Sequence, residues 1–170
     1  MARLYTYLTV TLSLKPQKSL PQLISLVEMS HPSLELVDFN EETRRVVIRA
    51  RASEAPFLEK LLRDYASSAS IEVKASLRTK IDVKKLRSIG VRYIAYGGRI
   101  LFYTRCRDDA VFGEARGREI LLKYCRWASS VDPAALPPAL CSFSQIEGLV
   151  ELVSSARRCF GELLRTLGLA

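Results

Sequence analysis

Residues 43–76 read TRRVVIRARASEAPFLEKLLRDYASSASIEVKAS, a strand, a helix and a strand in succession, and this run sets the plan of the N-terminal half. Residues 43–51 alternate polar and apolar side chains with the period of a half-buried strand. Ser53 is placed to cap a helix with Pro56 in its first turn, and Phe57, Leu58, Leu61, Leu62 and Tyr65 fall on one helical face. Residues 70–76 alternate again. Upstream, residues 4–13 alternate as a strand. Ser19 then caps a helix with Pro21 in the first turn, Gln22 three residues after the cap and an apolar stripe of Leu20, Leu23, Ile24 and Val27. Residues 33–39 form a further strand, joined to 43–51 by a turn at Asn40-Glu41-Glu42.

The order βαββαβ fits a ferredoxin-like α+β unit over residues 1–78, four antiparallel strands with both helices on one face. Alternation puts Leu4, Leu8, Val10, Val46, Ile48, Ile71 and Val73 toward the helices. It leaves Tyr5, Tyr7, Thr9, Thr11, Arg45, Val47, Arg49, Arg51 and Lys74 on the other face.

Charge singles out the next segment. Of the 26 lysines and arginines in this 170-residue chain of net charge +8, nine (Arg78, Lys80, Lys84, Lys85, Arg87, Arg92, Arg99, Arg105 and Arg107) lie in residues 78–107 against the one acid Asp82. The remaining residues carry 17 basic and 17 acidic side chains and cancel. Confined positive charge makes a local field suited to a polyanion. Residues 79–107 read as an ordered basic element. Asp82 caps a short helix, Ile81 and Leu86 staple it, Gly90 ends it, and Gly97-Gly98 turns a hairpin that pairs Tyr96 with Arg99, Ile94 with Leu101 and Arg92 with Tyr103.

Residues 108–170 read as helical and packed on the same domain. A helix is expected over 114–128 from Ile120, Leu121, Tyr124 and Trp127, followed by a proline-bearing loop and a long last helix capped by Ser142 or Ser144. Its apolar positions Ile146, Leu149, Val153, Ala156, Phe160, Leu163 and Leu167 recur at heptad spacing. This permits a homodimer through Ile146, Leu149, Val153, Phe160, Leu163 and Leu167. Val150, Leu152, Cys159 and Leu164 widen the stripe, which suits packing inside a monomer.

The four cysteines, Cys106, Cys125, Cys141 and Cys159, form no CxxC pair, and His31 is the only histidine, so a zinc ligand set is missing. Buried thiols are the expected state; disulfides would need an oxidising compartment or a hyperthermophilic cytosol. No apolar run is long enough to span a membrane. The chain reads as cytoplasmic, with no cofactor. No P-loop, GxGxxG, GxSxG or HExxH motif occurs, so the expectation is a non-enzyme. Asp108, Asp109 and Glu114 are the acids a metal-dependent RNA-processing activity would use.

The expected partner is single-stranded nucleic acid. Lys80, Lys84, Lys85, Arg87, Arg92, Arg99 and Arg105, with Arg45, Arg49 and Arg51 on the open sheet face, would contact phosphates, and Tyr96 and Tyr103 would stack on bases. A non-catalytic assembly subunit docking through its C-terminal helix is the alternative. The layout of sheet, basic hairpin and heptad-spaced last helix (Ile146 to Leu167) resembles the archaeal ThermoDBP group of single-stranded DNA-binding proteins. That resemblance implies single-strand binding, and no functional position is carried over from it.

Overall fold

The computed structural model describes residues 3–30 and 33–169; His31, the one histidine, lies outside them. The chain is α+β. Its strands are β1 (Tyr5–Leu14), β2 (Leu34–Asn40), β3 (Arg45–Arg51), β4 (Ala66–Arg78), β5 (Arg92–Tyr96), β6 (Arg99–Cys106), β7 (Asp109–Arg116) and β8 (Glu119–Arg126). Its helices are α1 (Leu20–Ser30), α2 (Ala55–Tyr65), α3 (Val83–Ser88) and α4 (Leu149–Thr166). Antiparallel pairing runs in the order β2-β3-β1-β4-β8-β7-β6-β5. Two compact units result, which cut across the segments 1–78, 79–107 and 108–170. An α/β unit comprises Tyr7–Val73 with Ser142–Ser154, and a hairpin unit comprises residues 3–6, Lys74–Cys141 and residues 155–169.

In the α/β unit, local chemistry sets the elements. Ser19 and Gln22 form a reciprocal capping box: the Gln22 N–H donates to Ser19 Oγ and the Ser19 N–H to Gln22 Oε1. Asn40 turns the β2–β3 connection by accepting the N–H groups of Glu42 and Thr43. Leu8, Val10, Val46, Ile48, Ile71 and Val73 are all buried, as the strand period requires, beneath Leu23 and Val27 of α1 and Leu58, Leu61 and Leu62 of α2. Ser53 does not cap α2. It sits in a 3-10 turn over Ala52–Glu54, and Glu54 occupies the cap position without a side-chain bond. Glu59 of α2 instead caps α4, accepting the Leu149 N–H at 2.9 Å, one of the orphan donors of that helix start.

The hairpin unit departs from the expected helix over 114–128. These residues form β7 and β8, joined through Gly117-Arg118, with Gly117 at φ +60. Gly113 is needed because a Cβ there would run into the ring of Phe102, its cross-strand partner, which is fully buried. The β5–β6 hairpin has the expected register, with Gly97 at φ +58 and Gly98 at φ +75, the two left-handed residues of a type I′ turn. Asp82 caps α3 by accepting the Lys84 N–H, with Leu86 buried behind it.

The last helix starts at Leu149, three residues after Ile146 and later than the Ser142 or Ser144 cap expected. Leu149, Val153, Phe160, Leu163 and Leu167 are buried within a single copy of the chain. The stripe from Leu149 onward is therefore covered within one copy, while Ile146 is partly exposed.

The cysteines overturn two expectations. Cys106 is bonded to Cys159 and Cys125 to Cys141, both within the hairpin unit, and no free cysteine remains among the described residues. Disulfides form and persist under oxidising conditions, so the reading of buried thiols in a cytoplasmic protein is corrected to a disulfide-bonded protein of an oxidising environment. No helix among the described residues is long and apolar enough to cross a membrane.

Candidate nucleic-acid interface

The register of five strands in the hairpin unit generates three cross-strand rows on one sheet face. One row runs Arg78, Glu119, Arg116, Arg99, Tyr96. The middle row runs Ser76, Leu121, Glu114, Leu101, Ile94, and the third Lys74, Lys123, Phe112, Tyr103, Arg92. An apolar row with one carboxylate thus lies between two rows that together carry six cations. Alternate residues on a strand are about 7 Å apart, so the cationic rows stand about 14 Å from each other. Five strands at about 4.8 Å spacing give a trough about 19 Å long.

Two like-charged pairs face each other directly, Arg99 with Arg116 and Lys74 with Lys123. Opposed like charges weaken a sheet by a few tenths of a kcal/mol or more, and at Arg99 the Glu114 carboxylate at 2.9 Å offsets the repulsion. Along the middle row Leu121 is 45% exposed and Leu101 6%, and Tyr96, at the end of the first row, is 49% exposed.

Tyr103 is not part of that accessible surface. It is 1% exposed, stacked on Trp127 at 5.2 Å, donating its hydroxyl to the Arg126 carbonyl and accepting the Ala128 N–H. Together with Ala110, Cys125, Val131 and Cys141 it forms a small core under residues 127–141, a cover stapled by the Cys125–Cys141 bond. Base stacking on Tyr103 is therefore withdrawn, because its ring is spent on packing. Tyr96 keeps its place on the open face.

The other expected contacts divide. Arg92 is exposed at the edge strand and donates to the Ser129 carbonyl of the cover at 3.2 Å. Arg105 is exposed, with its guanidinium 5.7 Å from the Trp127 ring centroid. Arg99 pairs with Glu114 at 2.9 Å, and Arg107 with Glu162 at 3.1 Å. Arg87 donates to the Tyr93 hydroxyl, and Tyr93 lies on the sheet face opposite Arg92. The exposed Lys84, Lys85 and Arg87 of α3 therefore flank the other side of β5, and Lys80 precedes that helix. Arg45, Arg49 and Arg51 are exposed on β3 of the α/β unit, where Arg49 lies over the buried Tyr7 ring at 4.6 Å. Asp108 and Asp109 cap no helix. Asp108 lies in the β6–β7 turn, and Asp109 opens β7 and accepts the Tyr124 hydroxyl.

Arg116, Leu121 and Lys123 lie within 114–128, and a helical reading of that stretch hides their place on a sheet face. The available signal was the alternation Ile120, Leu122, Tyr124 after a glycine-bearing two-residue break.

Two tyrosines report on the packing. Burial pushes the Tyr103 phenol up. Burial and then the hydrogen-bonded Asp109 carboxylate push Tyr124 well above the usual tyrosine range. A proton held more tightly by the folded than the unfolded chain means that stability is full below the unfolded pKa of about 10 and falls as pH rises from there through the folded value. A spectrophotometric titration at 295 nm is expected to show two of the seven tyrosines ionising only with alkaline unfolding. Seven phenols titrating together near pH 10, without loss of structure, would contradict this packing.

Comparison of the chain with protein-family models, curated proteins and solved structures yields no match.

Proposed function

We propose that this protein binds single-stranded nucleic acid across β4–β8 of the hairpin unit. One observation carries the reading: an apolar cross-strand row (Ile94, Leu101, Leu121) set between two rows of cations. Such a trough receives unpaired bases at its accessible apolar positions, Leu121 and Ile94, while phosphates reach Arg78, Arg116, Arg92, Lys123 and Lys74 at the rims. A duplex keeps its bases stacked inside and gains only the rims. Its length suits a run of about four nucleotides, the lower end of single-strand site sizes. The layout resemblance to the ThermoDBP proteins supports the same reading. In the α/β unit, the element order β1-α1-β2-β3-α2-β4 and the strand order β2-β3-β1-β4 support a ferredoxin-like split βαβ unit.

The test is a salt series on single-stranded DNA, single-stranded RNA and duplex of equal length. Single strands are expected to bind at least about tenfold more tightly than duplex at moderate salt. A log–log salt slope of about −3 to −4 is expected if five of the rim cations each release a counterion. Equal affinity for duplex and single strand would remove the role of the apolar floor. Absence of binding at low salt would remove the function.

A further inference from the structure

We propose that Glu114 makes this trough selective for bases bearing an exocyclic amino group, such as cytosine, against thymine and uracil. The inference rests on the nucleic-acid reading above and names what that site prefers.

Glu114 stands at the centre of the middle row, directly opposite Leu101 on one side and Leu121 on the other. Its Oε1 accepts from Arg99 Nη1 at 2.9 Å. Its other oxygen takes no hydrogen bond among the described residues, and the side chain is 29% exposed. The carboxylate is held in place from beyond the pair. Arg99 Nη2 donates to the Tyr96 hydroxyl at 2.8 Å, and the guanidinium lies 5.1 Å from the Tyr96 ring centroid. Tyr96 thus fixes Arg99, and Arg99 fixes Glu114.

A half-exposed ion pair adds little to stability, and a negative charge in a polyanion site lowers affinity for phosphate. A carboxylate kept there is suited to a different task. It is an acceptor only, so it accepts the amino protons of cytosine N4, adenine N6 or guanine N2 when a base lies on the floor. Thymine and uracil turn carbonyl oxygens on both sides of their one ring N–H, and these oxygens repel a carboxylate. Glu114 also keeps phosphates away from the floor, which leaves them at the rims and turns the bases inward.

The experiment compares oligo-dC with oligo-dT of equal length on the full chain and on Glu114→Gln, with thermal melting as the folding control. The wild-type chain is expected to bind oligo-dC about tenfold more tightly than oligo-dT. Glu114→Gln, whose amide both donates and accepts, is expected to bring the ratio to about one, chiefly by tightening oligo-dT. Equal binding of both oligomers by the wild-type chain overturns the selectivity and leaves single-strand binding standing. A wild-type preference that survives Glu114→Gln overturns the assignment to Glu114. Failure of both oligomers to bind overturns the nucleic-acid reading itself, and the selectivity with it.

Discussion

Full reduction of the protein is expected to lower its melting temperature by roughly 15–25 °C. Cys106 and Cys159 are 53 residues apart, and Cys125 and Cys141 are 16 apart. In the chain-entropy description, opening these loops returns freedom to the unfolded chain worth about 4 and about 3 kcal/mol. The loops are nested, so about 7 kcal/mol is the upper figure for the pair, comparable with the whole stability of an ordinary domain. The shorter bridge carries a second consequence. It staples residues 127–141 over Tyr103, so Cys125→Ser with Cys141→Ser should loosen the Tyr103–Trp127 stack. The fluorescence of Trp127, the one tryptophan of the chain, should shift to the red, and the Tyr103 phenol should titrate closer to the ordinary tyrosine value. An unchanged melting temperature, with four free thiols demonstrated by titration, would show that neither bond constrains the native chain.

Reversing the rim charges should have the largest effect on binding. Arg92, Arg116 and Lys123 occupy both cationic rows without belonging to the Glu114–Arg99–Tyr96 relay. Changing all three to Glu removes three phosphate partners and places three anions beside the strand. Affinity for single-stranded DNA at low salt should fall at least about a hundredfold, and the log–log salt slope should become shallower by about 2. The matched control reverses Lys84, Lys85 and Arg87, which carry the same charge on the opposite flank of β5. That control should lose less than about tenfold, through the long-range field alone. If the α3 triple abolishes binding and the rim triple spares it, the strand lies on the helix side of the edge and the trough is not the interface.

The sequence reading succeeded where a few adjacent residues decide the outcome. Ser19 with Gln22, Asp82 at the start of α3, and Gly97-Gly98 with its register all depend on hydrogen bonds and dihedral preferences closed within a few residues. It failed at 114–128, where Ile120, Leu121, Tyr124 and Trp127 satisfy a helical stripe while Ile120, Leu122 and Tyr124 satisfy a strand. Pairing settles that competition: the backbone groups of β7 are met by β6 and β8 across two-residue turns, and β8 is met on its other side by the distant β4. Four cysteines allow three connectivities, and only the folded chain brings Cys106 to Cys159 and Cys125 to Cys141.

By itself the sequence determined the Ser19 and Asp82 caps, the Gly97-Gly98 turn and the concentration of positive charge around residues 78–107. The tertiary structure alone decided which cations share a face, that Tyr103 is packed indoors while Tyr96 stays out, and that Glu114 sits between Leu101 and Leu121. The reason is physical. Caps and turns are stabilised by contacts a few residues apart, whereas a sheet face is assembled by register between strands, and a shift of one residue would send every side chain of a row to the opposite side.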